Sequence, residues 1–313
     1  MDIADLKSFL VVARQPNLRA AAEELHQSPS AISKALRRLE KSLNTHLFDR
    51  NNKALRLNAD GERLRDRAGV MVRLAEQTAA EFRGSRTQLL CRVAAPAVLQ
   101  WRFATGLTDL LTRHYPESRL AFATMFEDAA IAAVGRGEAD IAFVTGAVVA
   151  SNMPAGLEAV PLAPITMHLA AAASHAMLVN TPLVGTHDIG IPPSMTIDQV
   201  LPHDFACPNR SLFCGIERGS RADGWRDDRL PRRIRYWVED LQVLMSLVRS
   251  GHALAYLPDF ALSEPGLVRV MLSDCPYVCV ETTYLIWRPS AASGWHRYVA
   301  EGLAEIVQTS TTA

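Results

Sequence analysis

The sequence predicts a chain in two parts joined by a long helix. A small helical unit ends in a polar turn between two extended runs, and a larger α/β unit follows. Three observations lead to this. The 313 residues exceed the roughly 100 to 200 of a single domain. Charge is uneven: Lys plus Arg and Asp plus Glu number 33 each, yet residues 1–90 carry 16 basic and 11 acidic side chains against 17 and 22 in residues 91–313. A basic end points to nucleic-acid binding, or more plainly to a solvated charged face. Finally, apolar spacing is helical up to residue 82 and then alternates between extended and helical runs.

With 49% hydrophobic and 21% charged residues the chain is too apolar for disorder. The nearly uncharged apolar stretch Ile141 to Ala150 is too short to span a bilayer, and Asp2 and Asp5 are unlike the basic start of a secretory signal. A soluble cytoplasmic protein without a membrane partner is expected. The five cysteines (Cys91, Cys207, Cys214, Cys275 and Cys279) have neither CxxC nor zinc-site spacing, so neither a disulfide framework nor a metal site is expected. GxSxG, HExxH and GxxxxGK[ST] are absent, and Gly135-Arg136-Gly137 lacks the third glycine of a dinucleotide loop. The sequence therefore predicts no catalytic residues, no enzyme activity and no cofactor.

Ile3, Leu6, Phe9, Leu10 and Ala13 recur at helical spacing, with Asp2 as N-cap and Asp5 in the first turn. After Pro16, Asn17 caps a short second helix through Ala20, Ala21, Ala22 and Leu25, whose small side chains permit close packing. His26-Gln27 breaks it. Ser28 then caps a third helix that begins with Pro29 and runs to about Leu43. Ala31, Ile32, Ala35, Leu36 and Leu39 form its inner face, while Ser30, Ser33, Lys34, Arg37 and Arg38 lie toward solvent. Short hydroxyls near a helix N-terminus, with long cations behind them, suit entry into a major groove. Taken alone, a soluble basic helix fits the same pattern. From Leu47 to Leu57 two alternating ends flank a polar turn carrying Arg50, Lys53 and Arg56, which reads as a wing.

The run from Asn17 to Glu40, followed by Leu47-Phe48-Asp49-Arg50, resembles the winged helix-turn-helix of the LysR-type transcriptional regulators. That resemblance implies base readout by Pro29, Ser30, Ser33 and Lys34, phosphate contacts from Arg37 and Arg38, a DNA contact at Arg50 and minor-groove insertion of Lys53. Arg19, Pro29-Ser30 and Asn58 stand where many members carry Thr, Gln-Pro and Thr, so base preference is not transferred. From Asp60 to Phe82 the residues Leu64, Ala68, Met71, Ala75, Thr78 and Phe82 recur at alternating spacings of four and three. A two-stranded coil buries such a stripe, and the resemblance implies a dimerising linker helix; packing on its own domain is the alternative. Gly84-Ser85 ends this helix.

Beyond it, 92–95, 120–124 and 139–144 read as strands and 100–113 and 128–134 as helices, which favours a parallel sheet with helices on both faces. A second pattern of this kind covers Met167 to Leu178 and Phe205 to Pro208, then a strand Ile234 to Val238, an Asp240-capped helix Leu241 to Arg249 and a strand Ala253 to Leu257. The order, with Gly137-Glu138-Ala139-Asp140-Ile141-Ala142-Phe143, looks like the effector domain of the same family, which is similar to periplasmic (type 2) solute-binding proteins. The expected domains are a winged helix-turn-helix over 1–58, a linker helix over 59–88 and a two-lobed effector domain over 89–313. Lobe I takes about 89–163 and 265–313 and lobe II about 164–264, with crossings near Pro161 to Pro164 and after Pro258.

The resemblance places an effector between the lobes, among Ala97, Val98, Leu99, Gln100, Phe126, Glu127 and Thr145 on one side and Phe205, Cys207, Val238 and Asp240 on the other. Core packing and helix capping explain the same residues equally well. Val98 stands where many relatives offer a hydroxyl to a ligand carboxylate, and Glu127 and Asp240 repel anions, so a small polar effector that is not strongly anionic is expected. Arg210, Arg218, Arg221, Arg226 and Arg229, between Pro202 and Pro231, read as a solvated loop face, with a partner surface as the alternative.

The leading expectation is a one-component regulator that binds double-stranded operator DNA as a homodimer or homotetramer, senses a small-molecule effector and has RNA polymerase as a further partner. One alternative replaces the effector by redox chemistry at Cys207 and Cys214, with Arg210 favouring a thiolate. Another is an enzyme or solute-binding protein with a basic adaptor.

Overall fold

A computed structural model gives the fold of residues 1–49, 56–82, 89–179, 192–289 and 294–311. The N-terminal unit comprises α1 (Ile3–Arg14), α2 (Leu18–Glu24) and α3 (Pro29–Leu43), each starting at the cap its sequence announces. Asp2, Asn17 and Ser28 accept the backbone N–H groups of Ala4, Ala20 and Ala31 through their side chains at 2.9, 2.9 and 3.2 Å. Between α2 and α3 the turn needs a left-handed residue, supplied by His26 at φ +51°. Leu6, Phe9, Ile32, Leu36, Leu39, Leu47 and Phe48 make the core beneath, with the Phe9 and Phe48 rings edge to face. An antiparallel bridge between Phe48 and Leu57 closes the base of the wing, and Asp49 N–H donates to Arg56 O at 2.8 Å. Arg50 and Lys53 lie outside the described residues.

Helix α4 (Ala59–Phe82) is the long helix the heptads predict, but its stripe is not one continuous seam. Ala68 is fully buried with Val72 in the winged-helix core, and Leu64 packs against that core. A residue covered within its own chain cannot face a partner, so Ala68 leaves the predicted dimerisation set and Leu64 is engaged internally. Met71 (38% exposed) and Leu74 (51% exposed) face outward instead, and Ala75 is half-buried. The Phe82 side chain lies outside the described residues.

Lobe I is built from β1 (Leu90–Ala95), α5 (Ala97–His114), β2 (Arg119–Thr124), α6 (Glu127–Arg136), β3 (Ile141–Thr145) and α7 (Gly146–Asn152). β1 pairs in parallel with β2 and β3, as the strand-helix alternation predicts. Side chains alternate between layers: Val93, Ile141 and Phe143 face α5, while Ala94, Ala142 and Val144 face α6.

β4 (Glu158–Ala172) then crosses between lobes as one strand, so the pattern expected from Met167 begins nine residues earlier, at Glu158. Lobe II adds α8 (Ala176–Val179), β5 (Ser194–Met195), α9 (Ile197–Val200), β6 (Asp204–Pro208), β7 (Arg233–Val238), α10 (Leu241–Arg249), β8 (Ala255–Pro258) and β9 (Leu267–Leu272). The chain returns through β10 (Val280–Trp287) and α11 (Gly294–Thr311). Strands in the main sheet run β2-β1-β3-β10-β4-β9-β5, with β8 also on β4.

The parallel sheet expected from the alternation holds for β1, β2 and β3 but is not continued: β10 is antiparallel to β3 and β4, and β4 is antiparallel to β8 and β9. Because the chain leaves lobe I on β4 and comes back on β10, these two strands must run oppositely. The lobe boundaries shift too. β10 pairs with β4 through Thr166, whereas β8 and β9 pair with it from Met167 onward, and β9 belongs to lobe II. Its return segment is residues 273–279, not the stretch just after Pro258. Among the described residues no helix is long and apolar enough to cross a membrane.

Candidate nucleic-acid interface and interlobe cleft

Helix α3 turns its apolar residues into the core and leaves Pro29, Ser30, Lys34, Arg37 and Arg38 exposed, with Ser33 half-buried. Ser28 and Ser30 hydroxyls lie 2.9 Å apart at the helix start. Among the described residues Lys34 and Arg37 form no ion pair, so both cations are open to an anionic partner. Arg38 is different. Its guanidinium forks onto the buried Asp5 carboxylate of α1, Nε to Oδ2 at 3.1 Å and Nη2 to Oδ1 at 2.5 Å, which raises its pKa further. The fork ties α3 to α1, so Arg38 braces the helix while Lys34 and Arg37 present free charge.

Between the lobes lies a cavity of about 150 Å³. Lobe I contributes Glu127, Asp128, Thr145 and Ser151; the segment after β6 contributes Ser211, Phe213, Cys214 and Arg218; Glu281 comes from β10. Glu127 stands at the start of α6 and accepts the Thr145 backbone N–H at 2.6 Å, joining α6 to the end of β3. Burial pushes its carboxyl above the ordinary range; the Thr145 hydrogen bonds oppose this, and nearby Glu281 adds to it. Burial likewise raises Glu281, against the pull of Arg218. Three carboxyl groups thus face one guanidinium. Outside the lining, the Phe126 ring of lobe I lies against Gly215 of lobe II.

Residues 3–62 match the family model described as bacterial regulatory helix-turn-helix protein, lysR family, and residues 85–302 match the LysR substrate binding domain. The chain belongs to the LysR family. Among relatives, the transcriptional regulator TrpI of Pseudomonas aeruginosa is 32% identical over 119 residues, covering 38% of this chain and 40% of TrpI, so the match spans less than half of that protein. Among solved structures, a full-length OxyR variant from Pseudomonas aeruginosa superposes with a TM-score of 0.66 at 19% identity, covering 97% of this chain and 94% of that one. Full-length CbnR complexed with its target DNA gives 0.57 at 20% identity, covering 97% and 99%. At these identities the two structures establish the likeness of fold.

In this LysR-family chain the cleft takes only part of the predicted set. Glu127 and Thr145 line it; Phe126 does not, and is exposed with its ring against Gly215. Gln100 binds Ala95 O and Thr124 Oγ1 through Nε2 at 2.9 and 3.2 Å, fixing the strand ends, and Ala97 is exposed in the first turn of α5. Val98 and Leu99 are corrected to lobe I core, and Phe205, Cys207 and Val238 to lobe II core. Their apolar bulk is used in packing between sheet and helix. Asp240 caps α10, accepting from Gln242 and Val243 N–H at 2.8 and 3.1 Å, and does not line the cavity.

The missed lining residues come from two places. Glu281 lies on a strand left unassigned. Ser211, Phe213, Cys214 and Arg218 lie in the arginine-rich stretch read as a solvated loop, where the run Leu212-Phe213-Cys214-Gly215-Ile216 was the signal for an inward turn. The redox alternative loses its footing: Arg210 pairs with Glu217, while Cys207 is fully buried and its thiol is pushed up to about 12, first by burial and then by Asp223. The arginine nearest that sulfur is Arg232, which is itself buried and forked onto Asp223 and Asp227.

Proposed function

We propose that this chain is a one-component transcriptional regulator that acts in the cytoplasm as a homodimer or homotetramer. It reads double-stranded operator DNA with the outer face of α3 and the wing, and contacts RNA polymerase when bound. The observation that carries this reading is the sidedness of α3, whose Ser30, Lys34 and Arg37 stand exposed above a closed core. Solved CbnR, a protein of the same fold, is complexed with target DNA. Gel-shift titration on operator fragments recovered by in vitro selection tests the reading. Lys34→Ala is expected to weaken binding about tenfold, within the ~1–3 kcal/mol of a good base contact. Unchanged affinity would remove α3 from the interface.

The effector reading rests on the cleft charge. Glu127, Asp128 and Glu281 against Arg218 suit a compact ligand bearing both an amine or hydroxyl and a single carboxylate, and they disfavour a strongly anionic one. A cavity of about 150 Å³ is below the ~300–1,000 Å³ of sites for drug-sized molecules, which supports a small ligand. Helix α6 supplies the route to the DNA-binding unit. It starts at Glu127 in the cleft and ends at Arg136, whose carbonyl would lie 2.7 Å from a Cβ on Gly69 of α4. A ligand that draws on the start of α6 thereby shifts a rigid rod resting on the linker helix, provided it favours one lobe arrangement over another. Thermal-shift screening with amino acids, amines and dicarboxylates tests the ligand class; stabilisation by dicarboxylates alone would overturn it.

A further inference from the structure

A second cavity, of about 510 Å³, lies in lobe II away from the interlobe cleft and shares no lining residue with it. It exists because two strands part company. β9 pairs with β4 only from Leu267 to Val270; its last residues, Met271 and Leu272, pair with β5 instead, while Met167 of β4 turns to Cys279 O for its N–H partner at 2.9 Å. The gap is roofed by the segment around Trp225 and by the return segment that ends at Val280.

The walls are apolar and aromatic. Trp225 is buried, its Nε1 is already satisfied by Leu230 O at 2.8 Å, and its ring meets Tyr256 edge to face at 5.3 Å. At the mouth, Met271, Tyr277, Val278 and Val280 are exposed large hydrophobics, an apolar rim around a concave opening. Among the described residues no Asp or Glu lines this cavity. Its cations are Arg226 and Arg269. Arg226 is held in a fork by Asp228 at 2.8 and 2.8 Å, over the ring of Tyr277. The Nε of Arg269 is shielded from solvent without a hydrogen-bond partner, and the guanidinium forms no salt bridge among the described residues. Beside it His168 is held below its usual pKa, by burial first and by Arg269 second.

We propose that this cavity is a second ligand site, taking a monocarboxylate with an aromatic or branched apolar body whose carboxylate sits on Arg269. The apolar body fills the space between the Trp225 and Tyr256 rings and Val270, and the guanidinium supplies the one strong polar contact such a site needs. Because the walls include both β4 and the return segment, the two connections between the lobes, occupancy here bears on the lobe arrangement independently of the interlobe cleft.

Isothermal titration of the full chain with phenylacetate tests this, with phenylacetamide as the uncharged counterpart. Phenylacetate is expected to bind one per chain and phenylacetamide at least about tenfold more weakly, the size of a lost charged hydrogen bond. Arg269→Gln is expected to weaken phenylacetate to the same degree, Arg269→Lys to restore most of the affinity, and Arg218→Gln in the interlobe cleft to leave it within about twofold. Equal binding of acid and amide, indifference to Arg269→Gln, or loss on Arg218→Gln in place of Arg269→Gln would each overturn the proposal. So would an absence of binding together with a dimer that Val278→Asp dissociates, which would make the rim a contact between copies.

Discussion

The ring of Phe126 on lobe I lies so close to Gly215 on lobe II that a Cβ there would sit 2.4 Å from Phe126 Cδ2. Gly215 also holds φ at +69°, so two separate requirements select glycine. Gly215→Ala is expected to cost about 1–2 kcal/mol for the left-handed backbone, plus the displacement of Phe126. Urea unfolding of Gly215→Ala, Phe126→Ala and the combined variant separates the two parts. The combined variant should lose less than the sum, because removing the ring relieves the clash. Strict additivity would show that the lobes do not meet through this contact.

Cleft carboxyls give the protein a definite pH response. Glu127 and Glu281 are both raised above their ordinary 4.5, chiefly by burial. The folded chain therefore keeps protons that the unfolded chain releases, so these groups add stability that is complete below about pH 4.5 and fades as pH rises through their raised values. Gln at position 127 still offers an oxygen to the Thr145 N–H but cannot ionise. Glu127→Gln is expected to lose less stability than the parent as pH rises above 4.5, read by denaturation at a series of pH values. An amine ligand should bind more tightly over the same rise, as the carboxylates that receive it ionise. A variant as pH-sensitive as the parent would place the shift elsewhere.

The local signals were strong where caps and periodicity coincide. Asp2, Asn17, Ser28 and Asp240 all cap the helices they announce, because a short side-chain acceptor before an apolar-periodic run has few other uses. Strand direction was not legible: β4 and β10 carry ordinary apolar residues, and nothing local says that one leaves lobe I and the other returns. The cleft was half legible. Glu127 and Thr145 sit at strand and helix ends, where fold geometry puts a ligand, whereas Val98, Leu99, Phe205, Cys207 and Val238 are apolar and were drawn into the cores that flank it. Arg218 and Glu281 reach the cleft only through long-range pairing, which residue spacing does not encode.

Adjacent arginines on α3 should separate cleanly in solution. Arg37 is exposed and forms no ion pair among the described residues, while Arg38 is forked onto buried Asp5. Arg37→Ala is expected to flatten the slope of log affinity against log salt by about 0.9, the signature of one lost phosphate contact, with no change in melting temperature. Arg38→Ala should lower the melting temperature, because it leaves a carboxylate buried without its partner, and should change the salt slope less. Filter-binding titrations at several salt concentrations, paired with thermal melts, check both. The opposite assignment of slope and stability would make Arg38 the phosphate contact.

The junction of α4 with α6 yields the sharpest test of coupling. Gly69 lets the linker helix lie on the end of α6, since a Cβ there would come within 2.7 Å of Arg136 O. Gly69→Ala forces the two helices apart, while the better helix propensity of alanine, worth about 1 kcal/mol, offsets part of the packing loss. The exposed residues of α3 and the lining of the interlobe cleft are both remote from position 69 in the chain and share no residue with this contact. Operator affinity without ligand, and stabilisation by a ligand identified in thermal-shift screening, should therefore each stay within about threefold of the parent, whereas the change in operator affinity on adding that ligand should shrink toward none. Gel shifts with and without ligand read the coupling directly. A full ligand response in Gly69→Ala would mean that the signal reaches the DNA-binding unit by a path other than α6.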